Sequence, residues 1–153
     1  MVIRQAKTEE AHILTGIAMR SKAYWGYDDK FMDACREALT VTADKITRHH
    51  VWLATEGPNF VGFYCLVADG ETGALDDMFL NPPYIGKGCG RALWDHMTAL
   101  ARAIGVREFT IDADPFAEGF YLKMGAERIG AAESTAIPGR MLPLLRVKVT
   151  NEK

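Results

Sequence analysis

The 153-residue chain reads as an α/β (α+β) sandwich, with about seven strands in a mixed, mostly antiparallel sheet flanked by about four helices. Three observations carry that reading. Apolar residues recur at helical spacing in some stretches and run almost unbroken in others, as in strands covered on both faces. Turn residues separate three consecutive strand-like runs closely enough for an antiparallel meander. A further run then enters the segment "NPPYIGKGCGRALW" (81–94), where glycines lead straight into a helical pattern. At this length one core and a single domain over 1–153 are expected.

The elements follow in order. Val2 to Arg4 starts a short strand. Thr8 is a candidate N-cap, with Glu9 and Glu10 suited to the positive end of the helix dipole. Ala11, Leu14, Ile17 and Ala18 then fall on one helical face. Trp25-Gly26-Tyr27 interrupts the period, and Asp28 is placed to cap a second helix that turns Phe31, Met32, Cys35 and Leu39 inward. A short turn is expected near Thr42 to Thr47. Val51–Thr55, Phe60–Val67 and Leu75–Leu80 form the meander, with turns at 56–59 and 68–73. After the glycine segment a helix runs to about Ile104 on the stripe Leu93, Trp94, Met97, Leu100, Ala101, Ile104, and Gly105 ends it. Val106 to Ala113 is a strand. Asp114-Pro115 starts a short helix that Gly125 stops. Closing strands near Ala126–Gly130 and Leu142–Val149 flank a loop holding Pro138-Gly139-Arg140.

Charge and cysteine usage exclude several classes. A net charge of −2 and a pI near 6.1 give no basic excess for nucleic acid. Cys35, Cys65 and Cys89 are scattered and odd in number, which argues against a disulfide framework or a zinc site. No signal-peptide pattern or membrane-length apolar run is present, so a cytoplasmic protein with no membrane partner is expected.

Gly86, Gly88 and Gly90 occupy every second position of the 81–94 segment. Glycine in a regular element costs backbone entropy, so the spacing calls for a turn with unusual dihedrals or for a ligand against the backbone. A strand, a glycine-rich turn and a helix together aim free N–H groups at an anion, and Lys87 and Arg91 add positive charge. Two phosphate readings fail on spacing. Gly86-Lys87 is followed by Gly88 where the P-loop needs Ser or Thr. The GxGxxG fingerprint puts Arg91 or Leu93 at its third glycine.

The segment resembles the signature of the GNAT superfamily of N-acetyltransferases, Gln/Arg-x-x-Gly-x-Gly/Ala. Ile85-Gly86-Lys87-Gly88-Cys89-Gly90 matches it with Ile85 in place of Gln or Arg. "DPFAEGFYLKMG" (114–125) resembles the second signature, a short helix with Phe-Tyr and then Gly, with Asp114 in place of Asn. The order of elements agrees from Val2 to Val149, and "IPGRMLP" near the C-terminus resembles one subgroup. The resemblance implies acetyl-CoA as co-substrate. Backbone groups from Ile85 to Arg91 (Ile85, Gly86, Lys87, Gly88, Cys89, Gly90, Arg91) would hold its pyrophosphate. The stretch from Asp77 to Leu80, with Met78, Phe79 and Leu80, would pair with the pantetheine arm like a short strand, with Asp114 and Tyr121 also at the cofactor.

Acetyl transfer to an amine needs a base, stabilisation of the carbonyl oxygen and an acid for the leaving thiolate. The resemblance assigns Tyr121 as the general acid, and a phenol retains its proton at neutral pH. Packing within the stripe Ala117, Phe120, Tyr121, Met124 is the competing role. Asp76 and Asp112 are candidate bases. Alternation sends Asp76 and Asp77 to opposite faces, so that one of them faces the cleft. Trp25, Tyr27 and Asp28 are candidates for the acceptor site, against the simpler roles of helix packing and capping. The expected function is acetylation of a primary amine on a small molecule by direct transfer in a ternary complex, with a homodimer left open. The alternative is a non-catalytic acyl-CoA sensor or partner subunit.

Overall fold

A computed structural model describes residues 1–149. Seven strands form one sheet in the order β1-β2-β3-β4-β5-β7-β6. They are β1 (Val2–Gln5), β2 (His50–Glu56), β3 (Asn59–Asp69), β4 (Thr72–Leu80), β5 (Glu108–Asp112), β6 (Glu127–Glu133) and β7 (Met141–Lys148). All neighbours are antiparallel except β4 and β5. The meander β2-β3-β4 is as the sequence predicts, but its second hairpin is longer, with β3 reaching Asp69 and β4 starting at Thr72.

Among the described residues there are five α-helices: α1 (Ala11–Ala23), α2 (Asp29–Leu39), α3 (Ala43–Arg48), α4 (Cys89–Ala103) and α5 (Glu118–Lys123). The extra one is α3, where the sequence suggests only a turn. It is six residues long and buries Ile46 alone, too little for a period to register. Its start is nonetheless encoded, because the Thr42 side chain accepts from the Lys45 N–H at 3.1 Å. Thr8 does not cap α1. A 3-10 turn over Thr8–Glu10 precedes the helix, and the Glu10 carboxylate accepts from the Lys7 N–H at 2.8 Å. Asp28 caps α2 as expected, through the Phe31 N–H at 2.8 Å.

The sheet carries a core on each face. On one, Leu93, Trp94, Met97 and Ala101 of α4 pack with Tyr64, Leu66, Phe109 and Leu145. On the other, Leu14 and Ile17 of α1 and Met32, Cys35 and Leu39 of α2 pack with Leu53, Phe63 and Cys65. Successive residues of β3 therefore enter opposite cores, which explains its unbroken apolar run. Burial of one such large side chain contributes roughly 1.5–3 kcal/mol.

One feature of this sheet makes room for a site. The parallel ladder between β4 and β5 extends only from Thr72↔Glu108 to Ala74↔Thr110. Beyond it the strands part, so among the described residues β4 from Leu75 onward has a backbone edge with no strand partner on that side. A register shift against β3 sits at the same place: Cys65 faces Asp77 and Leu66 faces Leu75, which leaves Asp76 as the extra residue of a β-bulge.

Candidate active site

The gap between the parted strands opens into a cavity of about 860 Å³. Its floor is β4 from Ala74 to Leu80 and the end of β5. The glycine turn and the start of α4 close one end, and α1, α2 and α5 supply the walls.

The three glycines of the turn have two different physical roles. Gly86 and Gly88 adopt φ of +80° and +83°, and a Cβ on either would meet nothing within 4 Å. Both positions need the left-handed conformation that glycine adopts without cost, and both leave open space beside the backbone. Gly90 is helical, and a Cβ there would lie 3.3 Å from the Phe120 ring. It lets α4 pack close to α5. The helical ladder of α4 begins with Ala92 N–H donating to the Gly88 carbonyl, so the preceding N–H groups of the first turn lie outside it. Free N–H groups, open space at two glycines and an unpaired strand edge fit a phosphate-bearing, amide-bearing arm such as that of acetyl-CoA.

Of the predicted cofactor residues, Met78, Phe79, Leu80, Ile85, Gly86, Gly88, Gly90, Arg91, Asp114 and Tyr121 line the cavity. Lys87 and Cys89 belong to the turn but not to the lining, so Lys87 adds charge only at the surface. Tyr121 is buried against Trp94 and Phe120. Among the described residues its hydroxyl has no hydrogen-bond partner, and the residue faces the cavity. Burial, with Asp77 and Asp114 nearby, pushes its phenol above the ordinary value, so it holds its proton at any physiological pH.

The candidate carboxylates Asp76, Asp77 and Asp112 line the cavity together with Asp114. The expectation that alternation would divide Asp76 from Asp77 fails at the bulge. Lys45 Nζ reaches both, at 2.7 Å from Asp77 Oδ2 and 3.6 Å from Asp76 Oδ2. Asp77 is buried and Asp76 half open to solvent. Burial raises the Asp77 carboxyl above the usual range, against the opposing pull of Lys45. Cys65, on the paired position of β3, is pushed up to about 12 by burial and by Asp77. Among the described residues no cysteine or histidine lines the cavity.

The predicted acceptor residues divide. Trp25 lines the cavity and stacks on Phe116 at 5.4 Å, joining the end of α1 to the loop after β5. Tyr27 lies outside the lining. Its hydroxyl donates to the Asp114 carboxylate at 3.0 Å and accepts from Arg140 at 2.8 Å, while its ring stacks on Phe31. Asp28 is spent on capping. Asp114 also accepts from Lys22 Nζ at 2.6 Å and from the Phe116 N–H at 2.8 Å. Burial would raise this carboxyl, but those bonds hold it below the usual range. The sequence reading missed Lys22, Lys45 and Arg140. Lys45 sits in the helix taken for a turn, and no local pattern connects Lys22 or Arg140 with Asp114.

A cleft between parted parallel strands, an anion-ready helix start and a protonated phenol facing it define a CoA-dependent acyltransferase. Comparison with known proteins identifies the family. The acetyltransferase (GNAT) domain model matches residues 14–136. The chain is 31% identical over 147 residues to the peptidyl-lysine N-acetyltransferase YjaB of Salmonella typhimurium, covering 95% of each protein. The fold is similar to that of the PaiA N-acetyltransferase of Thermoplasma acidophilum, solved with coenzyme A, at a TM-score of 0.81 and 18% identity, over 96% of this chain and 98% of that one. It is also similar to YncA of Salmonella typhimurium, solved with acetyl-CoA, at a TM-score of 0.68 and 17% identity, over 100% and 96%. The chain belongs to the GNAT acetyltransferase family. It is an enzyme, with acetyl-CoA as its co-substrate, and the sensor alternative gives way to an acyltransferase. Among the described residues no helix is long and apolar enough to cross a membrane.

Proposed function

We propose that this protein transfers the acetyl group of acetyl-CoA directly to a primary amine of a small molecule, with both substrates bound at once. The observation that carries it is the cavity itself. Open backbone at Gly86 and Gly88 lines the same space as Tyr121 and the carboxylates Asp76, Asp77, Asp112 and Asp114. Acetyl-CoA supplies the thioester and its acyl group.

This chain's residues supply the rest. N–H groups at the start of α4 and the Arg91 side chain bind phosphate, and the open edge of β4 from Met78 to Leu80 orients the arm. Tyr121 keeps a proton on its hydroxyl and delivers it where negative charge develops on sulfur. The amine's proton passes to the carboxylates, of which Asp77 has its proton affinity raised by burial, the direction a base working near neutral pH requires. Asp76 and Asp112 complete the acidic end and attract a cationic amine. Direct transfer is supported by the absence of a cavity-lining cysteine among the described residues and by the neutral, buried state of Cys65.

A lysine side chain of a peptide is the second reading, favoured by the identity with YjaB. Free-thiol release from acetyl-CoA across amino acids, polyamines, aminoglycosides and lysine peptides tests both. Turnover with small amines and none with peptides supports the first. Turnover with peptides alone replaces it with the second, and inactivity throughout counts against both. Direct transfer predicts intersecting initial-rate patterns and no acetylated enzyme by mass spectrometry.

A further inference from the structure

Beside the main cavity lies a smaller one of about 100 Å³, and the two share Lys22, Ala38, Leu39 and Thr135 in their walls. The polar part of its lining is Lys22, Ser134, Thr135 and Arg140, set among the apolar side chains of Ala38, Leu39 and Leu142. Among the described residues, Lys22 and Arg140 are the charged residues of its lining, and no carboxylate belongs to it. Cys35, in the same wall, is held neutral because burial pushes its thiol up.

The nearby charges do not balance. Asp114 is the anion that faces both cations, and Lys22 takes its Oδ2 at 2.6 Å while Arg140 stays 3.8 Å away. The hydrogen bond that Arg140 does make, at 2.8 Å, goes to the Tyr27 hydroxyl. That phenol is neutral, pushed up to about 12 by burial and by Asp114. Two cations thus share one carboxylate, with the side chain of Arg140 only 20% exposed. A guanidinium has five N–H donors in a planar fork that matches a carboxylate. Among the described residues most of that fork is unspent, while the plane lies over the Phe31 and Tyr27 rings at 4.9 and 5.3 Å. Ser134 adds to this. Its Oγ accepts from the N–H groups of Ala136 and Ile137, which leaves its O–H free to donate.

We infer that the small cavity is a carboxylate subsite, and that the acceptor is an amino acid or similar compound carrying an anionic group as well as the amine. The amine would lie in the main cavity near Asp77 and Tyr121, with the carboxylate against Arg140 and Lys22. Such an acceptor brings a positive end to the acidic side and a negative end to the basic side, so both charged clusters select for it. This inference rests on the small-molecule reading proposed above.

The test compares free amino acids with their α-amides, which keep the skeleton and the amine but lose the anion. Amidation also lowers the amine pKa and favours the amide chemically, so preference for the acid reports binding. Two readouts are taken: thiol release from acetyl-CoA, and calorimetric binding of acid and amide to the CoA-loaded protein. The best acid is expected to exceed its amide at least tenfold in kcat/KM and in affinity. In Arg140→Gln the acid-to-amide ratio should fall towards one, mainly through KM, and Arg140→Lys should recover part of it. Melting curves confirm that the variants fold, and the wild-type comparison requires no variant. Equal acid and amide binding in the wild type would overturn the subsite, as would a ratio unchanged in a folded Arg140→Gln. Acid-selective binding without turnover would leave the subsite standing and defeat the small-molecule transfer reading instead.

Discussion

Lys45 Nζ lies 2.7 Å from the buried Asp77 carboxylate, across a contact between α3 and the bulge of β4. The pair compensates a charge that burial would otherwise make costly, at the edge of the cavity proposed as the active site. Removing one member of such a pair leaves the other unpaired, and that loss exceeds the net worth of the pair itself.

Lys45→Met is therefore expected to destabilise the protein by about 3 kcal/mol at neutral pH, measured by urea unfolding. The pH dependence has a definite sign. Asp77 has a folded pKa above its unfolded value, so its charge opposes folding increasingly as pH rises between the two. Loss of Lys45 widens that interval. The deficit of the variant should shrink as pH falls through the raised titration of Asp77, and a deficit independent of pH would refute the assignment.

Tyr121→Phe removes a hydroxyl that has no hydrogen-bond partner among the described residues. Stability should hold, since the hydroxyl faces the cavity and the ring packing against Trp94 and Phe120 is kept. If the phenol protonates the leaving sulfur, kcat should drop roughly a hundredfold. Acetyl-CoA affinity should barely change, because the phenol acts as charge develops. Wild-type kcat in a folded variant would reduce Tyr121 to a packing residue.

Gly88→Val tests the turn. Its φ of +83° would cost a side chain roughly 1–2 kcal/mol, a modest fall in melting temperature. The branched side chain would also occupy the open space beside the first N–H groups of α4, so calorimetry should show a far larger loss of CoA affinity. Unchanged affinity in the folded fraction would make the glycine purely conformational.

Asp114→Asn addresses the hub between α1, the loop before α2 and Arg140. It should cost about 3 kcal/mol at neutral pH, because Lys22 and Arg140 lose their shared anion. Asp114 has a depressed folded pKa. Its contribution is complete above the ordinary carboxylate pKa and is lost as pH falls through the lower folded value. The wild-type advantage in chemical denaturation should accordingly disappear only in acid, below the usual carboxylate range.

Most of the elements, though not α3, and the glycine turn of the candidate site can be read from local sequence. The meander, the stripe of α4, the turn at Gly86 and Gly88 and the helix bearing Tyr121 are all legible, because each is specified by residues within one or two turns of each other. Helical or strand period marks the buried face, and a positive φ calls for glycine wherever the fold lies around it. The tertiary structure alone decided the electrostatics. It put Lys22 on Asp114 across 92 positions of chain. It also brought Asp76 and Asp77 to one lysine through a bulge that breaks the alternation, and it set Arg140 over Phe31. Charge pairing depends on which distant elements the sheet order makes neighbours and on a one-residue register shift. Neither of these leaves a periodic trace in the local sequence.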